Sequence, residues 1–192
     1  PFEKLSCDLI GPLPITNRNS RYVFVANDMF SKKIYARPIP NKRALTTVEA
    51  LKSIVYGNPR LPASILTDNG LEFAGEFSAW LEEVGIKHWH SSPYHPQSNG
   101  LTERSNATLK QRLKTWRDGK WEDRLREIVH QINLTPAEHT RLSPYAVETG
   151  CDGLNPKCPI AVEGTVRQEP VSEIRKLARD RIVKEKESRS AK

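Results

Sequence analysis

Cysteine is scarce in this chain of 192 residues: Cys7, Cys151 and Cys158 are all it has. An odd, scattered set excludes a disulfide framework and suits a reducing compartment. The spacing of Cys151 and Cys158, with no His between them, fits no zinc pattern. Nor is there an apolar run approaching the roughly 20 residues of a membrane span, an internal repeat or a low-complexity tract. The chain begins at Pro1 with neither an initiator Met nor a basic-then-apolar leader, so a fragment of a longer polypeptide without a secretory signal is expected. On that expectation the two glycosylation-type triplets, Asn106-Ala107-Thr108 and Asn133-Leu134-Thr135, read as chance matches. Acidic residues are in deficit, 23 against 30 Lys and Arg, which gives a net charge of +7 and a pI near 9.4. That balance favours a polyanionic partner such as nucleic acid, although charge alone fits a basic protein without one equally well.

With 37% hydrophobic and 28% charged residues, the composition is that of one globular domain with a short appendage. Leu5 to Ile10 reads as a buried strand stopped by Gly11-Pro12, and Tyr22 to Phe30 with Lys33 to Ile39 as a hairpin. Leu45, Val48, Leu51, Ile54 and Val55 have helical spacing, and Pro59 and Pro62 close that helix. Ser64 to Thr67 is a short strand that delivers Asp68 to an Asn69-Gly70 turn. A helix from Glu76 to Val84 and a strand from Ile86 to His90 follow. From Gly100 to about Trp116 the pattern is helical, with Leu109 and Leu113 on a packing face and Glu103, Lys110 and Lys114 on another. Trp121 to Ile132 continues as a helix, Ser143-Pro144 starts a short one, and 151–170 reads as a loop or arm. Glu173 to Lys192 is a charged helix with a thin apolar stripe of Ile174, Leu177, Ile182 and Val183. Residues 1–150 are therefore expected to form the main domain, and 151–192 a linker and charged helix.

Three carboxylates stand apart: Asp8 within an apolar strand, Asp68 at the end of another, and Glu103 just inside a helix. Each has an ordinary alternative. Asp8 fits a strand edge, Asp68 a turn residue before Asn-Gly, and Glu103 a favourable charge at a helix N-terminus. Asp28, Glu72 and Glu76 read as surface or supporting groups rather than ligands. Taken together, three acids on separate elements of a basic chain suggest a magnesium site that works on phosphate, since hard cations prefer oxygen donors and leave positions open for phosphate and water. The element order is that of a ribonuclease-H-like α/β fold, a mixed five-stranded sheet flanked by helices, with the C-terminal charged helix as an extension. In that layout the first and fourth strands are neighbours, which brings Asp8 beside Asp68.

The wording of the motifs narrows the class. Asp8-Leu9-Ile10-Gly11-Pro12, Thr67-Asp68-Asn69-Gly70 with Glu72-Phe73, Tyr94-His95-Pro96-Gln97-Ser98-Asn99-Gly100 through Glu103-Arg104, and Leu142-Ser143-Pro144-Tyr145 occur in this order. On them the chain resembles the catalytic core of retroviral and long-terminal-repeat retrotransposon integrases, closest to the gypsy-type elements, over roughly residues 1 to 150. The resemblance implies that Asp8, Asp68 and Glu103 bind the catalytic metal, two Mg²⁺ ions with Mn²⁺ as substitute. It implies DNA contacts from Tyr94, Gln97 and Asn99, while Lys110 on the Glu103 face is the best candidate phosphate contact, followed by Lys114 and Arg104. One departure stands out: 34 residues separate Asp68 from Glu103, one fewer than the retroviral spacing. The shortfall falls before Gly85, because the loop from Tyr94 to Glu103 aligns without a gap.

The activity implied is 3′-end processing and strand transfer of element DNA into target DNA, with no covalent protein intermediate, in keeping with the lack of a Ser-His or Cys-His nucleophile pair. The partners implied are the element's DNA ends, target DNA and further copies of the chain in a dimer or tetramer, with a chromatin factor as a further candidate and no membrane. The place implied is the host nucleus, within a virus-like or preintegration particle. The family's zinc-binding His-His-Cys-Cys domain and its C-terminal β-barrel or chromodomain are expected outside residues 1–192. Two other readings remain open: a domesticated, non-catalytic module that binds DNA or protein, against which the presence of all three acids counts, and a plain hydrolytic nuclease of the same fold. His88 and His90, alternating around Trp89, read as a solvent-facing or core-satisfied pair rather than a metal site.

Overall fold

The computed structural model describes residues 1–91, 100–115, 120–137, 140–151 and 171–190, with the backbone alone for 100–105, 186, 189 and 190. Two compact units divide the chain, Pro1–Val129 and His130–Lys192.

The first unit is built on a five-stranded sheet of order β3-β2-β1-β4-β5, where β1 is Lys4–Ile10, β2 Tyr22–Asp28, β3 Ile34–Ile39, β4 Ser64–Thr67 and β5 Lys87–His90. The first three strands run antiparallel to their neighbours, and β4 and β5 add in parallel. The expected neighbourhood of first and fourth strands is thus realised. Alternation along the strands sends Leu5, Cys7, Phe24, Ala26 and Ile65 to one face. There they pack with Val48, Leu51, Ile54 and Val55 of α1 (Ala44–Val55) and Phe77, Trp80 and Leu81 of α2 (Glu76–Glu83). Nearly every residue of β2 is buried, which is what a central strand covered on both faces requires. Leu109 and Leu113 of α3 (Gly100–Lys114) and Trp121 and Leu125 of α4 (Trp121–Leu134) are buried as well, and α3 lies against β1.

Two local devices hold the connections. Gly11, at φ +148°, ends β1 where a Cβ would meet the Tyr22 ring and the Arg21 carbonyl, so the sharp exit needs glycine. The loop that follows is tied to α4: Trp121 Nε1 donates to the Pro14 carbonyl at 2.7 Å, and the Thr16 hydroxyl donates to Glu122. Asp28 is buried and so takes the supporting rather than the surface role. Its carboxylate closes the β2–β3 turn by accepting from the Ser31 backbone N–H at 3.0 Å and from the Ser31 hydroxyl.

In the second unit, α5 (Pro144–Thr149) starts from a Ser143 cap whose Oγ accepts from the Ala146 N–H at 3.1 Å, with Pro144 at the first turn. The charged helix, α6 (Val171–Ser190), packs on α5. Its contact stripe differs from the sequence reading: Ala178 is buried and Ile174 and Ile182 half-buried, whereas Leu177 and Val183 are exposed. A small residue at the centre of the stripe lets the helix approach closely, and the bulkier apolar side chains fall to its flanks. Arg175 caps the last turn of α5 by donating to the Val147 and Glu148 carbonyls, and Arg181 donates to the Thr140 carbonyl in the turn before α5, so part of the charge is engaged rather than left in solvent. The reading of 151–170 as a loop or arm concerns residues 152–170 almost entirely, which lie outside those described.

Candidate metal centre and its surroundings

Strand register places the first two carboxylates. Lys4 pairs with Ser64 and Ser6 with Leu66, positions 60 apart, and Asp8 and Asp68 are also 60 apart (68 − 8), so the register carries one to the other. In a parallel pair such residues share a face, and neighbouring strands lie about 4.8 Å apart. Asp8 is still inside β1, opposite Val25 of β2, whereas Asp68 is the first residue beyond β4. That position frees Asp68 for a turn: its Oδ1 accepts from the Gly70 N–H at 2.9 Å, and the side chain is exposed. At Gly70 a Cβ would lie 2.8 Å from the Glu72 carboxyl carbon and 3.0 Å from Asp68 Oδ1, so any other residue crowds the acid. The turn is anchored by Phe73, buried edge-on against Phe77, and by the Thr47 hydroxyl, which donates to the Glu72 carbonyl at 2.7 Å.

Both Asp8 oxygens are held. Oδ1 accepts from the Leu9 N–H at 2.7 Å, and Oδ2 from Asn106 Nδ2 of α3 at 2.9 Å. Asn106 in turn accepts at Oδ1 from Asn27 Nδ2 of β2 at 3.0 Å. Burial pushes the Asp8 carboxyl above its usual range, with the Asp68 charge adding to it, while the Leu9 and Asn106 hydrogen bonds and the Lys110 ammonium oppose the rise. A desolvated carboxylate beside a second carboxylate, with lone pairs left on each oxygen, is a donor set that suits a hard divalent cation.

Glu103 lies on α3 one turn before Asn106, about 4.5 Å along the axis, and close to Lys110 in angular position. The Asn106–Asp8 hydrogen bond therefore brings the helix segment that carries Glu103 against β1. The side chains of Glu103 and Arg104 are not among those described, and among the described residues no three His, Cys, Asp or Glu side chains form a group able to hold a metal. Tyr94, Gln97 and Asn99 also lie outside the described residues. Lys110 and Lys114 are exposed on α3, and Lys110 is near enough for its charge to act on Asp8. Glu72, half-buried, faces Lys42 at 3.9 Å, and Glu76 is exposed.

Sequence reasoning missed Asn106 and Asn27. A polar residue three positions after Glu103 and another directly following the apolar run Tyr22 to Ala26 were the available signals. The burial of Asn106, hydrogen-bonded within the fold, agrees with the reading of its glycosylation-type triplet as a chance match. His88 is also engaged within the fold: Nε2 lies 2.9 Å from the Thr67 hydroxyl and Nδ1 3.1 Å from the Ser78 hydroxyl. Burial, then the neighbouring His90, pushes His88 down to about 4. The Thr67 hydroxyl also donates to the Asp68 carbonyl at 2.8 Å, so this histidine supports the backbone that carries Asp68.

Residues 1–96, half of the chain and including Asp8 and Asp68, match the family model of the integrase core domain. The chain belongs to the integrase core domain family. Members of this family are polynucleotidyl transferases. The integrase core is 29% identical over 181 residues to the Pro-Pol polyprotein of Simian foamy virus type 3 (strain LK3), 92% of this chain and 16% of that protein. It is 28% identical over 163 residues to the retrovirus-related Pol polyprotein from transposon 412 of Drosophila melanogaster, 81% of this chain and 13% of that protein. The chain thus spans a small part of these polyproteins. Solved structures share the fold. The catalytic core domain of BIV integrase has a TM-score of 0.61 at 23% identity, covering 77% of this chain and 93% of that one. The HTLV-2 integrase catalytic core in complex with magnesium has a TM-score of 0.61 at 19% identity, covering 76% and 95%. An intasome of simian T-cell lymphotropic virus in complex with a PP2A regulatory subunit has a TM-score of 0.65 at 24% identity, covering 86% and 60%.

Proposed function

We propose that the chain is the catalytic core of a retroelement integrase that processes the 3′ ends of element DNA and joins them to target DNA. The observation that carries this reading is the parallel pairing of β1 with β4, whose register, continued, sets Asp8 beside Asp68, with the α3 segment that holds Glu103 hydrogen-bonded to β1 through Asn106. In this reading Asp8, Asp68 and Glu103 hold two Mg²⁺ ions. Such ions, when bound, supply activation of the attacking oxygen and stabilisation of the leaving oxygen in an in-line displacement at phosphorus.

The protein's own part is positional. The Leu9 N–H and the Asn106 amide fix the rotation of the Asp8 carboxylate, and the Gly70 N–H fixes that of Asp68. Lys110, exposed and within electrostatic reach of Asp8, would steady a scissile phosphate, with exposed Lys114 extending the basic surface along α3. Arg104 is a further candidate contact on sequence grounds. Tyr94, Gln97 and Asn99 would contact the element's end. The net charge of +7 draws DNA to this surface. Two ends joined in concert call for a homo-multimer, a dimer or tetramer, working in the host nucleus, where a chromatin factor would guide it to target DNA.

The test is incubation of the chain, joined to its flanking domains, with blunt terminal-repeat DNA and Mg²⁺ or Mn²⁺. Joined products are expected, and Asp8→Asn, Asp68→Asn and Glu103→Gln should each abolish cutting and joining while DNA binding persists. Cleavage without joining would mark a hydrolytic nuclease instead. Binding alone would mark a non-catalytic module.

A further inference from the structure

The amide relay that ends on Asp8 has a direction, and the charge of Asp8 sets it. A carboxylate only accepts, so Asn106 meets it with Nδ2 and turns Oδ1 toward β2. Asn27 must then offer its own Nδ2. Its Oδ1 is left as a buried acceptor without a hydrogen-bond partner, the one such atom among the described side chains. Asn27 is 2% exposed and follows the buried apolar run Val23 to Ala26, where a β-branched aliphatic side chain would pack without an orphaned oxygen. An amide kept at that position contributes orientation rather than stability.

We infer that Asn27 is a positioning residue for the Asp8 carboxylate: it locks the Asn106 amide in the orientation that donates to Asp8 Oδ2 and so keeps the free lone pairs of Asp8 turned toward the cation site shared with Asp68. This rests on the reading of Asp8 as a cation ligand. Asp8 itself disfavours a flipped Asn106 amide; without the Asn27 donor that amide is held at one end only and is free to swing off the line that aims Nδ2 at Asp8 Oδ2. Groups bonded directly to a metal ligand, as Asn106 is to Asp8, change metal affinity by about 10- to 100-fold when removed, and Asn27, acting through Asn106, is expected at the low end of that range.

The experiment measures Mn²⁺ affinity of the 192-residue chain without DNA, by calorimetry, beside thermal melting and NMR exchange of the Asn106 side-chain amide. Asn27→Val should bind Mn²⁺ about tenfold more weakly and lose protection at the Asn106 amide, while its melting temperature changes little, because the orphaned Asn27 oxygen is removed as Asn106 Oδ1 loses its donor. Asn27→Thr, whose hydroxyl can donate to Asn106 Oδ1, should restore affinity to within about threefold. Unchanged affinity in Asn27→Val overturns the inference, and so does a loss that Asn27→Thr fails to recover. Asp8→Asn separates the two levels: if it binds Mn²⁺ as well as the parent chain, the cation-site reading itself fails and this inference falls with it.

Discussion

Acid should weaken the first unit through one identifiable ring. His88 is half-buried between Thr67 and Ser78 and pushed down from 6.5 to about 4, so the folded chain resists a proton that the unfolded chain accepts. For a group lowered in this way, stability is full above the unfolded value of 6.5, falls as pH drops from there to about 4, and is flat below. At roughly 1.36 kcal/mol per tenfold change in proton affinity, the ceiling is about 3.4 kcal/mol. Water still reaches part of the ring and stabilises the imidazolium, so a loss of about 1–2 kcal/mol is expected between pH 7 and pH 4. Asp8 works in the opposite sense: its raised carboxyl takes up a proton on folding once pH approaches the carboxylate range, and part of the loss is returned there. Urea unfolding at pH 4, 5, 6 and 7 for the parent chain and for Asp8→Asn and His88→Asn variants separates the two. The His88→Asn chain should show a flatter profile between pH 6.5 and 5. If it follows the parent profile, or if the His88 ring titrates near 6.5 by NMR, the reasoning is wrong.

Other outcomes follow from the same geometry. Asp8→Asn should abolish Mn²⁺ binding while moving the melting temperature little, because relief of a desolvated charge beside Asp68 is offset by an NH2 set against the Leu9 or Asn106 donor; titration and differential scanning calorimetry check both halves. Asn106→Ala should cost about 2 kcal/mol in urea unfolding, since the buried Asn27 amide loses its acceptor and the Asp8 carboxylate a donor. Trp121→Phe removes the hydrogen bond to the Pro14 carbonyl from a fully buried site and should cost about 1–3 kcal/mol by the same measurement. Ser143→Ala takes away the α5 cap and should cost about 1 kcal/mol, read as earlier hydrogen exchange at Ala146.

The strands and helices were legible because their signals are local. Ser64–Thr67 is bounded by polar and turn residues, and Ala44–Val55 carries its apolar residues at helical spacing, so the observed bounds lie within a residue or so of those read from sequence. The adjacency of Asp8 and Asp68 was also within reach, since it follows from strand order alone. The hydrogen bonds that aim them were not. Asn27, Asn106 and Asp8 meet from two strands and a helix, and nothing in a one-dimensional pattern says which of many Asn side chains will find a buried partner. For Asp28 the sequence left a surface and a supporting role open, and only the fold decides for the second, closing over the carboxylate while Ser31 satisfies it. On α6, an alanine at the contact carries no hydrophobic signal comparable to Leu177, so the true stripe was hidden by larger neighbours.

The tie between Asn106 and β1 bears on how freely the sequence between the second and third acids can drift. Helix α3 takes its bearing from Asp8 and Asn27, which precede Asp68 in the chain, and not from the 34 residues that separate Asp68 from Glu103. That stretch contains α2 and β5, which are held by the sheet and core, so the fastening of α3 to β1 is a separate one. The shortened spacing of this chain therefore leaves the fastening of Asn106 to Asp8 intact.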